Sequence, residues 1–266
     1  MDWLQLIALA LVQGITEFLP ISSSAHLVLP ALLSDWPDQG LAFDVAVHVG
    51  TLTAVCAYYR KELTDLAGGG LGLIAGRGPS EASELLLKLA AATLPIAILG
   101  FLLKSWVETE LRSVLVIALA TIVFGLALWW ADTQRGSGSK VSWLQALLIG
   151  AAQVLALVPG TSRSGITITA ALLLGLSRST AARFAFLLSI PTIAAAGLLS
   201  AIDLAQAREP APWADLLIGC GLAGAAAFTC IHLFVTLVER TGMLPYVIYR
   251  LVLGTVLLGM LAAGAA

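Results

Sequence analysis

Apolar residues run along this chain in long blocks, and polar residues interrupt them at few places. Six blocks approach the roughly 20 residues needed to cross the hydrocarbon core of a bilayer: about 42–59, 87–103, 113–131, 184–202, 215–236 and 244–262. Two further stretches, 3–33 and 143–177, fit no single span. Each is an apolar run, a polar break rich in Pro, Ser and Thr, and a second apolar run. The breaks read LPISSSAH (19–26) and PGTSRSG (159–165). Each apolar half is about 12–17 residues, which at about 1.5 Å rise per residue is too short to cross.

Such a stretch is best accommodated as a re-entrant helical hairpin that enters and leaves by the same side. Its non-helical tip is tolerated at depth only where protein or a watery cavity satisfies the backbone. The order is then hairpin, three spans, hairpin, three spans. A shift of 140 residues aligns Gln13 with Gln153, Ser22 with Ser162 and Ser24 with Ser164. Three spans is an odd number, so the second half enters the membrane upside down, and its hairpin tip faces the first near the midplane. The pattern predicts an all-α polytopic membrane protein, with about six transmembrane helices plus two re-entrant helical hairpins. It forms one integral membrane domain over 1–266, built as inverted repeats of about 1–131 and 143–266.

Basic residues set the orientation. Arg60, Lys61, Arg77 and Lys88 in the 60–88 connection, and Arg135 and Lys140 in 132–142, place those loops in the cytoplasm. Arg208 is the one base between 203 and 215, which goes outside, and 104–112 must then lie outside too. The first hairpin opens outward and the second inward. The glycine-rich string GGGLGLIAGRG (68–78) follows no strand and reads as a flexible loop rather than a nucleotide site.

Composition agrees. Charged residues make up 11% of the 266 and apolar ones 59%, far from a soluble domain's usual quarter charged. This excludes a soluble globule, a disordered tail and a nucleic-acid binder with a basic face. The net charge of -2 suggests no bulk electrostatic partner. Cys56, Cys220 and Cys230 lie in apolar runs without metal spacing and read as buried thiols. The start, Met1-Asp2-Trp3, lacks the basic region of a cleaved signal peptide. The seven tryptophans suit interfacial belts.

Most charges fall in loops or at span ends. The two exceptions are Glu17 and Arg163, one in each break, and charge at membrane depth marks a functional site. In QGITEFLPISSSAHL (13–27), Gln13 and Glu17 are four apart and share a helix face, with Thr16 beside them. Pro20 ends that helix. Ser22, Ser23 and Ser24 start the next, and His26 follows one turn in. A hydroxyl, an imidazole and a carboxylate so close together are the parts of an activated nucleophile. In PGTSRSGIT (159–167), Thr161, Ser162, Arg163 and Ser164 stand at a helix N-terminus, where free amides, hydroxyls and a guanidinium make an anion site. The two breaks together describe a phosphate-type anion facing a serine, a histidine and a carboxylate. His48 and His232 read as histidines satisfied by neighbouring carbonyls. Arg250, near a span's start, reads as snorkelling to the interface.

Both motifs closely resemble the signatures of the bacitracin-resistance family of bacterial inner-membrane enzymes, the undecaprenyl-diphosphate phosphatases. The likeness extends over the whole chain in length and span order, and in FAFLLSIP (184–191). It implies dephosphorylation of a polyprenyl diphosphate, undecaprenyl diphosphate, to the monophosphate carrier lipid. That recycles the lipid for peptidoglycan synthesis at the outer, periplasmic face of the inner membrane and confers bacitracin resistance. The family's first motif carries Glu or Gln, three residues, then Glu; here those positions are Gln13 and Glu17, one carboxylate fewer than where both are Glu. The family's implicated serine and histidine fall on Ser23 and His26, and its Ser-Arg-Ser on Ser162, Arg163 and Ser164, with Thr167 one turn on. The resemblance also implies a divalent cation, Mg2+ or Ca2+, held partly by Glu17, and allows a homodimer.

The mechanism so read is in-line attack on the terminal phosphate. Ser23 is the favoured nucleophile, with Glu17 or His26 taking its proton, and direct attack by His26 is the alternative. Arg163 would neutralise charge growing on the phosphoryl oxygens. Gln13, Thr16, Ser22, Ser24, Thr161, Ser162, Ser164 and Thr167 would bind the phosphates. The rival function is a membrane transporter or flippase for a lipid phosphate or small anion, which would use the same anion site but needs no nucleophile–base pair.

Overall fold

A computed structural model describes residues 1–33, 36–134, 136–207 and 212–264. Arg135 and Arg208, counted above for orientation, lie outside the described residues. Secondary structure is helical almost throughout. The first break separates α1 (Trp3–Thr16) from α2 (Ser23–Leu33). Then come α3 (Leu41–Tyr58), α4 (Arg60–Ile74), α5 (Glu81–Leu102), α6 (Lys104–Glu110) and α7 (Val114–Thr133). The second break separates α8 (Trp143–Gln153), continued by a short 3₁₀ turn, Val154–Leu157, from α9 (Arg163–Leu173). Last are α10 (Arg178–Ala207), α11 (Trp213–Thr241) and α12 (Leu244–Ala262). Among the described residues six helices, α3, α5, α7, α10, α11 and α12, are long and apolar enough to cross a membrane. They are the six spans expected from the apolar blocks.

One loop reading is corrected. Residues 68–74 belong to α4, glycines included, because α4 packs closely on α5: a Cβ on Gly69 would stand 2.6 Å from the Ser83 amide nitrogen. The 104–112 connection folds into the short helix α6.

Side chains satisfy amides at several helix starts, as helix ends require. Asp2 accepts from the Gln5 amide, and Ser80 and Ser142 each form a capping box, with Ser83 and Gln145. Both short pairs close at the base through a glutamine. Gln5 Nε2 donates to the Pro37 carbonyl at 2.7 Å, and Gln145 Nε2 to that of Leu174 at 3.0 Å. In lipid no hydrophobic force drives helices together, so small residues that let backbones approach carry the packing. At Gly50, where α3 meets α11, and at Gly150, where α8 meets α5, a Cβ would run into a carbonyl of the facing helix.

Ion pairs sort the loops onto two ends. Lys140 binds Glu81 at 2.6 Å, Arg183 faces Glu62 at 3.7 Å, and Arg178 binds Asp132 at 2.6 Å. Lys104 pairs with Asp203 at the other end. Loops 60–88 and 132–142 thus share one end, and α6 meets the end of α10 at the other. Trp3, Trp106, Trp129, Trp130, Trp143 and Trp213 are all exposed.

Candidate active site

The two breaks meet in the interior. Glu17 continues the line of α1 past its last turn, its amide bonded to the Gln13 carbonyl, and is only 7% exposed. Its carboxylate is a hub. Oε1 accepts from Arg163 NH2 at 2.6 Å, and Oε2 accepts from Gln13 Nε2 at 2.8 Å and from Ser23 Oγ at 2.6 Å. The four-residue spacing of Gln13 and Glu17 brings the Gln13 contact about. The turn through Pro20 and Ile21 returns Ser23 for its own.

Both breaks turn through a serine in the left-handed region, Ser22 at φ 76 and Ser162 at φ 71. Such a backbone is strained for a residue with a side chain and collects at functional sites. In each break the serine hydroxyl lies 3.2 Å from the hydroxyl two residues on, Ser24 or Ser164. Ser162 caps α9 by accepting from the Gly165 amide, so the positive end of that helix dipole starts at Arg163 beside Glu17. Ser164 reaches across to donate to the Leu19 carbonyl at 2.9 Å, a second tie between the breaks.

Three buried polar atoms here have no hydrogen-bond partner among the described residues: Arg163 NH1, Thr161 Oγ1 and Gln13 Oε1. Unpaired buried groups cost stability and call for an explanation. A guanidinium N–H and a hydroxyl suit an oxyanion, and the amide oxygen suits a cation. Thr16 and Thr167 are placed differently. Each commits its one proton to its own helix, Thr16 to the Val12 carbonyl and Thr167 to that of Arg163, and can only accept from a ligand.

His26 is held at both ring nitrogens. Nδ1 lies 2.7 Å from the Ser22 carbonyl and Nε2 2.5 Å from the Tyr249 hydroxyl. His48 bonds through Nδ1 to the Asp44 carbonyl, as expected of a satisfied histidine, but its Nε2 faces Glu17 Oε2 at 3.9 Å. It belongs to the site.

Arg250 corrects the expectation of a snorkelling side chain: it is fully buried. Its guanidinium donates to the carbonyls of Pro20 at 3.1 Å, Gly160 at 2.9 Å, Thr161 at 3.0 Å and Ala120 at 3.4 Å, and its Nε to that of Thr121 at 3.0 Å. The breaks expose the carbonyls of Pro20, Gly160 and Thr161 outside any helix, and one arginine gathers them from both tips while also reaching two carbonyls of α7. The signal lay in the periodicity: Val247, Arg250, Gly254 and Leu257 are spaced 3, 4 and 3 apart, one buried helix face.

Among the described residues no three His, Cys, Asp or Glu side chains group as a metal site. Glu17 stands as a lone carboxylate with the Gln13 amide oxygen beside it.

A family model described as Bacitracin resistance protein BacA matches residues 6–256. The chain is 53% identical over 261 residues to a protein of Chromohalobacter salexigens called Undecaprenyl-diphosphatase, covering 97% of this chain and 98% of that one. It is 52% identical over 260 residues to the protein of the same name from Hahella chejuensis, at 97% and 98% coverage. To the Alcanivorax borkumensis protein of that name it is 52% identical over 265 residues, at 98% and 100%.

Proposed function

The chain belongs to the bacitracin resistance protein family, and from that premise we propose that it hydrolyses undecaprenyl diphosphate to undecaprenyl phosphate and inorganic phosphate. The observation that carries the chemistry is the 2.6 Å hydrogen bond from Ser23 Oγ to Glu17 Oε2, a nucleophile paired with a base inside a membrane protein.

In this reading Ser23 Oγ attacks the terminal phosphorus. The new Oγ–P bond forms as the bond from phosphorus to the bridging oxygen breaks, and its electron pair leaves on undecaprenyl phosphate. The Ser23 proton passes to Glu17. Water then attacks the phosphoserine, inorganic phosphate departs, and the proton on Glu17 returns to Ser23. Arg163 keeps NH2 on Glu17 and turns its unpartnered NH1 to the phosphoryl oxygens, with Thr161 Oγ1 and the start of α9 as further donors. His26 makes its bonds to Ser22 and Tyr249 rather than to Ser23, which supports Glu17 as the serine's base.

A divalent cation, magnesium or calcium, forms part of the proposal. Glu17 and Gln13 Oε1 are the oxygens of this chain that would hold it. When bound it supplies positive charge to the diphosphate oxygens. The apolar groove of about 630 Å³ lined by Ile15, Leu19, Ala226, Leu233 and Phe234 has the chemistry a prenyl chain needs.

Inverted repeats of about 1–131 and 143–266 complete the reading. Supporting them, α2 and α9 start and end 140 residues apart, and Trp3-Leu4-Gln5 recurs at that offset as Trp143-Leu144-Gln145. We place the enzyme in the bacterial inner membrane with its site open to the outer face. There it recycles the carrier lipid for peptidoglycan synthesis and confers bacitracin resistance.

Protein purified in mild detergent tests this. Phosphate release from undecaprenyl diphosphate is expected with magnesium or calcium, absent in excess chelator and absent in Arg163→Ala. Folded wild-type protein that releases none under any condition overturns the proposal in favour of a lipid-phosphate carrier.

A further inference from the structure

We propose that Tyr249 is the positioning residue for His26, holding its Nε2 by a hydrogen bond and its ring plane by stacking. The inference rests on the diphosphatase reading above, with His26 of the first motif counted among its catalytic residues beside Ser23 and Glu17, and it gives a role to Tyr249, which that reading leaves without one.

The geometry fixes the state of the imidazole. A carbonyl only accepts, so the 2.7 Å contact to the Ser22 oxygen requires a proton on Nδ1. In the neutral ring Nε2 then carries the lone pair, and the Tyr249 hydroxyl 2.5 Å away donates to it. The two rings lie within 18° of parallel, with centroids 5.6 Å apart. His26 is thus gripped by Ser22 of its own break and by Tyr249 of α12, 223 residues further along the chain from His26. Ser22 selects the tautomer through Nδ1, and Tyr249 holds the opposite side of the ring through Nε2.

The neighbour of Tyr249 makes the grip firm. Arg250 ties α12 to the Pro20 carbonyl in the first break and to those of Gly160 and Thr161 in the second. Consecutive residues of one helix point about 100° apart. The Tyr249–Arg250 pair therefore presents one side chain to His26 while the other holds both tips. His26 cannot shift relative to the breaks unless α12 also lets go of them. Tyr249 is itself 42% exposed, so the His26–Tyr249 pair stands where the buried site gives way to its surroundings.

The test is Tyr249→Phe, which removes the hydroxyl and keeps the ring. Turnover of undecaprenyl diphosphate is expected to lose about tenfold in kcat with KM changed less than about twofold, the pattern of an interaction used in the transition state. The spectroscopic arm uses ¹⁵N-histidine NMR on detergent-solubilised protein; the chain has three histidines, and His26→Gln assigns the signal. The wild type is expected to show Nδ1 protonated and Nε2 hydrogen-bonded, and Tyr249→Phe to move Nε2 to the frequency of a free lone pair. In the His26→Gln background, adding Tyr249→Phe is expected to cost nothing more. Unchanged kcat with an unmoved Nε2 resonance overturns the proposal, and so do losses that multiply in the double variant. Wild-type protein that releases no phosphate overturns the diphosphatase reading instead, and the NMR arm still decides whether Tyr249 holds His26.

Discussion

Glu17 and Arg163 lie 146 residues apart in sequence and meet at 2.6 Å, their side chains 5% and 15% exposed. This contact joins the two helix breaks and pairs their two charges. It also leaves a guanidinium edge, NH1, free for a second anion. A buried pair stabilises little against an apolar replacement, but removing one partner strands a charge at a cost of about 3–5 kcal/mol. Its retention is best explained by chemistry.

Stability and turnover should therefore separate. Glu17→Gln and Arg163→Gln are each expected to lower the melting temperature in detergent and to abolish phosphate release. The double variant, with no stranded charge, is expected to recover most of the melting temperature and none of the activity. Thermal melts with turnover assays check this. A double variant melting no higher than the worse single one would contradict a charge-stranding origin.

The serines of the first break should differ sharply. Ser23 donates to the base, whereas Ser24 is exposed and, among the described residues, its hydroxyl meets only that of Ser22. Ser23→Ala is expected to cost about a thousandfold or more in kcat, as loss of a nucleophile does. Ser24→Ala should remain within about fivefold, the scale of one weak hydrogen bond. Near-normal turnover in Ser23→Ala would remove it from the role of nucleophile and direct attention to His26.

The spans and breaks were legible because bilayer thickness imposes a block length that a sequence displays directly. Glu17 and Arg163 were legible because charge inside such a block is rare. His48 and Tyr249 were not, and Arg250 showed only as one position on a buried helix face. Each sits in an ordinary apolar span, and its importance depends on what faces it from another part of the chain: the tips for Arg250, Glu17 for His48, His26 for Tyr249. Gly69 and Gly70 misled for the opposite reason. Their low helix propensity in isolation suggests a loop, but a close neighbour, α5, makes a surface without side chains an advantage.

The ends of the bundle carry an orientation test. Ser137 is exposed in the loop that Lys140 ties to Glu81, and Thr109 is exposed on α6 at the other end. In intact cells, a membrane-impermeant thiol reagent is expected to label Thr109→Cys and to spare Ser137→Cys until the membrane is opened. Wild-type protein serves as the control for Cys56, Cys220 and Cys230. The reverse pattern would turn the site to face the cytoplasm.

Arg250 offers the sharpest test of how the two breaks are held. Its planar fork donates to carbonyls of Pro20, Gly160, Thr161, Ala120 and Thr121 at once. A lysine keeps the charge but carries three donors on one nitrogen and cannot reach groups on different sides of a fork. Nor is there room to rearrange, because Gly125 of α7 lies so close that a Cβ there would stand 3.2 Å from the Arg250 Cβ. Arg250→Lys should thus leave several buried carbonyls unpaired, each costing about 1–3 kcal/mol, and should lower both the melting temperature and kcat. Arg250→Met removes the charge and every donor, and should be worse in both. If the role were only to supply positive charge near the phosphate, the lysine variant would keep its stability and most of its turnover. A lysine variant that melts and turns over like wild type would sink the clamp.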